Sequence, residues 1–314
     1  MHLMLRRQAA GTTLAAATAL ACAAALTVAV PAPATVTKDS TISLTVDGRV
    51  RTARLHLPNP MPEVRKVPLV LSFHGLLGDG DGQQALSQLN HVSNENGFIA
   101  VYPEGYQRSW NDGRRDTPSN RDGVKDVKFV RALLDHLEKT YPVDKNKVFA
   151  LGMSNGGFFA QRLGCVMASR FAAIATVASV MPKTSAKRCK PAKPLSVLMI
   201  MGTADPLVPY RGGRFGRATL LSAKASAKLW RERARCKKPV EAALPDTAED
   251  GTTTRVLVAN KCRAGTAVKL YSVQGGGHTW PGGPQYLPEA TIGRTSRDFD
   301  ASRTIWTFFA GHGR

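Results

Sequence analysis

Val148–Gly157 reads VFALGMSNGG, and this stretch decides how the rest of the chain is read. Val148–Leu151 is a short apolar run of the kind that forms a strand covered on both faces. It passes directly into Gly152-Met153-Ser154-Asn155-Gly156-Gly157, a G-x-S-x-G pattern, and Asn155–Met167 has the character of a helix. A serine at the apex of such a strand-to-helix turn stands clear of the sheet. Glycines on either side relieve the crowding that a sharp bend creates. The N–H of Asn155 then lies at a helix start, aimed at any negative charge that develops beside Ser154.

Outward from this turn, Val67–Phe73 (VPLVLSF), Phe98–Tyr102 (FIAVY), Ala173–Val180 and Leu195–Met201 are further apolar runs of strand length. Thr41–Val46 and Val50–Leu57 alternate apolar and polar residues around Asp47-Gly48, which predicts a hairpin. Ala267–Val273 also alternates and is expected to be the last strand. Val124, Val127, Val130, Leu133, Leu134 and Leu137 recur at helical spacing, and helices are expected over Thr219–Arg235 and Ala301–Phe309. Glu241–Asp250 is polar and turn-rich. Strands alternating with helices predict an α/β fold with a mostly parallel central sheet and helices on both faces.

The first residues are set apart from this pattern. Met1–Gln8 carries Arg6 and Arg7 and no acid, an apolar run fills Leu14–Val30, and Pro31-Ala32-Pro33-Ala34 places small residues at Ala32 and Ala34. That order is the order of a signal peptide cut after Ala34. It predicts a leader over 1–34, one catalytic domain over 35–314, and secretion. An uncleaved anchor is the competing reading, since the run approaches the roughly 20 residues that span a bilayer. Lipidation at Cys22 is another, but the apolar run continues through Ala23–Val30, where a lipidated chain should turn polar.

Without the leader, four cysteines remain: Cys165, Cys189, Cys236 and Cys262. An even number in an exported chain suggests two disulfides, with three possible pairings. Pairing of sequence neighbours is the simplest. None lies in a C-x-x-C pair, so no metal site is expected. The formal charge is +20, and only Arg6 and Arg7 leave with the leader. The basic residues are scattered apart from modest clusters at Lys183–Lys193 and Lys224–Lys238, without an aromatic-interleaved stripe. Nucleic-acid binding is therefore not expected. Loose electrostatic association with anionic surfaces is.

A serine hydroxyl is a poor nucleophile until a base accepts its proton. His2 falls in the leader, His56 in the hairpin, His91 and His136 on helical segments, His312 in the tail, and His74 at a strand end. His278 lies in Gly275-Gly276-Gly277-His278-Thr279-Trp280, after the last strand, where an α/β-hydrolase supplies its base. That fold runs in the order Ser, acid, His. Asp205 follows the buried strand Leu195–Met201 through Gly202-Thr203-Ala204. Asp246 and Asp250 follow no such strand. Asp205 would fix the imidazole tautomer and stabilise its cation. A second oxyanion donor is expected after the strand ending in Phe73-His74-Gly75-Leu76, namely the backbone N–H of Leu76, beside that of Asn155.

Taken together, FHG (Phe73–Gly75), YPEG (Tyr102–Gly105), SWND (Ser109–Asp112), DVKFV (Asp126–Val130), GMSNGG (Gly152–Gly157), GTADPLVPY (Gly202–Tyr210) and GGGHTWPGG (Gly275–Gly283) resemble the polyhydroxybutyrate-depolymerase-type esterases, a family that takes in feruloyl and acetyl-xylan esterases. The resemblance covers nearly the whole chain after the leader. It implies an α/β-hydrolase fold, a cofactor-free serine esterase, and a triad of Ser154, Asp205 and His278. It favours the pairings Cys165–Cys189 and Cys236–Cys262. It also implies an ester substrate that can be polymeric, either a polyester or a feruloylated or acetylated polysaccharide. Two positions depart from the pattern: Met201 stands where a His is common, and Lys125 replaces an acid before Asp126. Trp110 and Trp280 are the candidates for substrate contact, since an indole offers a broad flat surface. A serine peptidase with the same triad and a basic, non-catalytic binding protein are the competing functions.

Overall fold

Ten strands form one sheet in the order β1-β2-β4-β3-β5-β6-β7-β12-β11-β10. The strands are β1 (Asp39–Val46), β2 (Arg49–His56), β3 (Val67–Phe73), β4 (Ile99–Pro103), β5 (Val143–Met153) and β6 (Ala173–Val177), followed by β7 (Ser196–Gly202), β8 (Gly213–Phe215), β9 (Ala218–Leu220), β10 (Val240–Ala243), β11 (Thr253–Ala259) and β12 (Val268–Gln274). β4, β3, β5, β6, β7 and β12 run parallel. Antiparallel pairs flank them, β1 and β2 at one edge and β11 and β10 at the other. The separate pair β8–β9 is a short hairpin. This is a computed structural model that describes residues 39–313 except Arg65. Residues 1–38, which include the expected leader and Cys22, lie outside the described residues.

The helices are α1 (Gly80–Ser87), α2 (Leu89–Asn96), α3 (Pro118–Arg121), α4 (Asp126–Thr140), α5 (Asn155–Val166), α6 (Lys183–Arg188), α7 (Ala223–Arg233), α8 (Glu289–Ile292) and α9 (Ala301–Ala310). They cover both faces of the sheet, and strand alternation decides which residue meets which layer. Val148 and Ala150 of β5 pack with Phe129 and Leu133 of α4, Phe159 of α5 and Trp230 of α7. Phe149, Leu151 and Met153 point the other way, toward Leu89 of α2 and Ile305 and Phe309 of α9. The apolar face expected on α4 is the buried one, through Val130, Leu133, Leu134 and Leu137.

Several elements differ from expectation, β5 among them, which begins at Val143 rather than Val148. β6 stops at Val177 because Ala178 turns to φ 50°, outside the strand region. The helix expected from Thr219 begins at Ala223, where the Ser222 hydroxyl accepts the Ala225 N–H and caps it. Thr219 instead belongs to the β8–β9 hairpin, which the positive φ of Gly212, Gly213 and Gly216 permits. The polar segment 241–250 hides an edge strand, β10, whose residues are all exposed.

Candidate active site

The C-terminal ends of the parallel strands gather the candidate residues on one side, as open α/β sheets do. Ser154 follows β5 with φ 52° and ψ −119°, a strained conformation for a residue with a side chain. Two backbone bonds over-determine it: its N–H donates to the Val177 carbonyl (2.9 Å) and its carbonyl accepts the Phe158 N–H (2.9 Å) as α5 begins. The flanking glycines are required by packing. A Cβ on Gly152 would run into the Gly156 carbonyl group, and one on Gly156 into the carbonyls of Phe73 and His74. The Ser154 turn is thus pressed against the end of β3.

Asp205 follows β7 and His278 follows β12. Their loops are joined by Thr203 N–H to the Val273 carbonyl (2.8 Å) and Ala204 N–H to the Gly276 carbonyl (3.0 Å). Asp205 is buried and fully engaged. Its Oδ1 accepts the N–H groups of Leu207 (2.8 Å) and Val208 (2.7 Å), and its Oδ2 lies 2.8 Å from His278 Nδ1. A carboxylate can only accept here, so Nδ1 carries the proton and Nε2 is left as the basic nitrogen. His278 N–H donates to the Ile292 carbonyl (2.5 Å), and Tyr286 Oη donates to the His278 carbonyl (2.9 Å). Among the described residues no hydrogen bond joins Ser154 Oγ to His278.

The loop after β3 lies beside the serine: a Cβ on Gly75 would stand 3.5 Å from Ser154 Cβ. Among the described residues, no protein acceptor takes the N–H of Leu76 or of Asn155. The loop is held by His74, whose Nδ1 donates to the Gly75 carbonyl (2.7 Å) while Nε2 accepts the Gly105 N–H (2.9 Å). That pairing fixes a neutral imidazole, and burial holds its pKa below the ordinary histidine value. The Asn155 side chain fixes the other donor. Its Oδ1 accepts the Trp110 N–H (2.8 Å), and its Nδ2 donates to the Trp110 carbonyl (3.2 Å) and to Asp112 Oδ2 (2.6 Å). Buried Asp112 is in turn paired with Arg114 (2.7 Å) and accepts from Asn120 (3.0 Å). SWND is therefore scaffolding behind the Ser154 turn.

The two tryptophans expected at the substrate are a correction. Trp110 is 0% and Trp280 1% exposed. The Trp110 ring stacks on Phe159, and its Nε1 donates to the His74 carbonyl (3.0 Å). Trp280 Nε1 donates to Ser302 Oγ (3.1 Å). With faces packed and N–H groups satisfied, neither indole can meet a substrate; both brace the loops that bear the site.

Exposed apolar side chains lie close to the candidate site residues in the chain or by contact. Leu76 and Leu77 follow Gly75, Leu207 lies two residues past Asp205, and Tyr286 and Leu287 belong to the segment bonded to His278. Tyr286 sits between Pro284 and Pro288, outside any strand or helix pattern, and that isolation was the only available signal. Both disulfides join sequence neighbours, Cys165–Cys189 and Cys236–Cys262.

Residues 45–291 match the protein family described as "Putative esterase". The chain belongs to that family. This esterase is 33% identical over 283 residues to "Putative esterase NocK" of Nocardia uniformis subsp. tsuyamanensis, an alignment covering 85% of the chain and 81% of the relative. It is 28% identical over 225 residues to feruloyl esterase B of Piromyces equi, covering 68% of the chain and 40% of that longer protein. The acetyl xylan esterase from Aspergillus awamori shares the fold, with TM-score 0.59 over 87% of the chain and 99% of the neighbour at 14% identity. The protein is a carboxylic ester hydrolase on an α/β fold.

Proposed function

We propose that this esterase is a secreted serine hydrolase working through an acyl-enzyme, with Ser154 as nucleophile, His278 as base and Asp205 as its orienting partner. The observation that carries the reading is the closed Asp205–His278 pair, on the same strand-end face as a serine held at φ 52°. On substrate binding, Ser154 Oγ closes on His278 Nε2, as catalytic hydrogen bonds commonly do. Oγ attacks the ester carbonyl carbon while Nε2 takes its proton. The N–H groups of Leu76 and Asn155 receive the developing oxyanion. Collapse expels the alcohol, which leaves with the proton held on Nε2. Water then repeats the sequence on the acyl-enzyme, releasing the acid and restoring Ser154.

The substrate we assign is an ester whose acyl group is larger than acetyl and has an aliphatic or aromatic body, of the feruloyl or 3-hydroxybutyrate kind, free or on a polymer. Leu76, Leu77, Leu207, Tyr286 and Leu287 support this, since exposed apolar groups clustered near one site favour an apolar partner. A leader removed after Ala34 would deliver the enzyme outside the cell. Its positive charge would there give weak, salt-sensitive attachment to anionic surfaces. The deciding experiment measures products from methyl ferulate, 3-hydroxybutyrate oligoesters and acetylated xylan, with the matching anilide of ferulate as an amide arm. Turnover of one of the first two by at least about tenfold over acetylated xylan and anilide is expected, a gap of about 1.4 kcal/mol in transition-state binding. Equal or faster turnover of acetylated xylan overturns the acyl assignment, and faster anilide cleavage overturns the esterase preference.

A further inference from the structure

Arg162, on the second turn of α5, is half-buried and has no carboxylate partner among the described residues. Its Nη1 donates to the backbone carbonyl (2.5 Å) and the side-chain oxygen of Asn111. Burial depresses its pKa, and the attraction of Asp112 and Asp126 offsets that only in part. The nearby buried acids are committed elsewhere: Asp112 to Arg114 and Asp126 to Arg51 (2.8 Å).

Two clefts share this arginine. One, of about 260 Å³, is bounded by Arg162, Arg188, Thr184, Ser185, Val166 and the Cys165–Cys189 disulfide, with no acidic residue in its walls. The other, of about 510 Å³, adds Lys125, Lys128 and Arg131 from the α4 side. Its acids are neutralised, Asp126 by Arg51 and Asp47 by Lys128 (2.7 Å). Among the described residues no carboxylate lies within ion-pair distance of Lys125, Arg131, Arg162 or Arg188, while Asp47 acts on Lys125, and Asp112 and Asp126 on Arg162, from farther away. They form a local excess that scattered surface charge does not explain.

We propose that these clefts form a binding site for a carboxylate-bearing sugar chain, centred on Arg162 and Arg188. A guanidinium matches a planar carboxylate in paired hydrogen bonds. The hydroxyls of Thr184 and Ser185 suit sugar hydroxyls, and Val166, 56% exposed, offers an apolar surface to a ring's C–H face. Two adjoining clefts with cations along both suit successive acidic units. The site does not depend on the triad assignment, because it binds without a chemical step.

The test uses the whole enzyme at about 0.15 M salt, where scattered surface charges are largely screened. Binding of fluorescein-labelled trigalacturonate is followed by anisotropy, with neutral xylotriose and inorganic phosphate as competitors. Saturable binding is expected, displaced by unlabelled trigalacturonate and not by xylotriose or by equimolar phosphate. Arg188→Gln should weaken it about tenfold while leaving hydrolysis of a small ester unchanged, since Arg188 is exposed. Val166→Glu, which keeps every arginine and adds a negative charge to the wall, should weaken it at least as much. Lys238→Gln, which removes one exposed positive charge outside the clefts as Arg188→Gln does within them, should not. Equal loss in that control, or no loss in Arg188→Gln and Val166→Glu, overturns the site. Displacement by phosphate as effective as that by trigalacturonate overturns the sugar.

Discussion

His278 and Asp205 share one hydrogen bond of 2.8 Å, and the other carboxylate oxygen of Asp205 is occupied by the N–H groups of Leu207 and Val208. The carboxylate cannot turn away from the imidazole without leaving two backbone donors unpaired. It therefore dictates which imidazole nitrogen bears the proton.

Asp205→Asn tests that dependence. The amide can present its NH₂ to the ring and select the opposite tautomer, placing a proton on the nitrogen that must accept one. Turnover of a small ester is expected to fall by about 10⁴-fold with the melting temperature little changed, the loss typical of a mis-set tautomer. Less than about a tenfold loss would remove Asp205 from the reaction.

Trp110→Phe separates bracing from substrate contact. It removes the donor to the His74 carbonyl inside a packed site and keeps most of the ring. Leaving that acceptor unpaired is expected to lower unfolding free energy by about 1–3 kcal/mol in denaturant titration. KM for an aromatic ester should stay within about twofold, because the ring never meets substrate. A raised KM with unchanged stability would restore Trp110 to the binding surface.

The strand–turn–helix at Ser154 is legible because its signals are local: an apolar run, two tight-packing glycines and a helix start adjoin Ser154. The places of Asp205 and His278 at the strand ends are legible because each follows a recognisable strand. The burial of the tryptophans is not legible in the sequence, because burial is a tertiary property. Nothing in the sequence around Trp110 announces that Phe159 stacks on it or that a carbonyl awaits its N–H. Edge strand β10, with VEAA exposed throughout, gives no apolar alternation to detect. Tyr286 and Leu207 gain their place only from contacts with His278 and Asp205. The Arg162 clefts arise from where α4, α5 and α6 pack, which no single segment encodes.

His74 predicts a pH dependence of stability with a definite sign. Burial lowers its pKa in the folded protein from the ordinary 6.5. Between the folded value and about 6.5, the unfolded chain binds more protons, so stability is lost as pH falls through that window. Glu104, half-buried beside it with Oε2 4.0 Å from Nε2, is shifted upward by burial. Its contribution has the opposite sign, present at low pH and lost as pH rises through the folded value. Denaturant midpoints measured from pH 7 to pH 5 should therefore fall less steeply for His74→Asn than for the wild type, and more steeply for Glu104→Gln. Parallel curves for all three proteins would contradict the buried, neutral imidazole.

The central claim is that Ser154 is the nucleophile, and labelling with a fluorophosphonate followed by peptide mass mapping tests it most directly. The account predicts one stoichiometric adduct on Ser154, with ester hydrolysis lost in proportion to labelling. A Ser154→Ala protein should fold normally and take up no label. An adduct mapped to another serine, or a Ser154→Ala enzyme keeping more than a few per cent of wild-type turnover, would contradict it, since loss of a triad nucleophile typically lowers kcat by about 10⁶-fold.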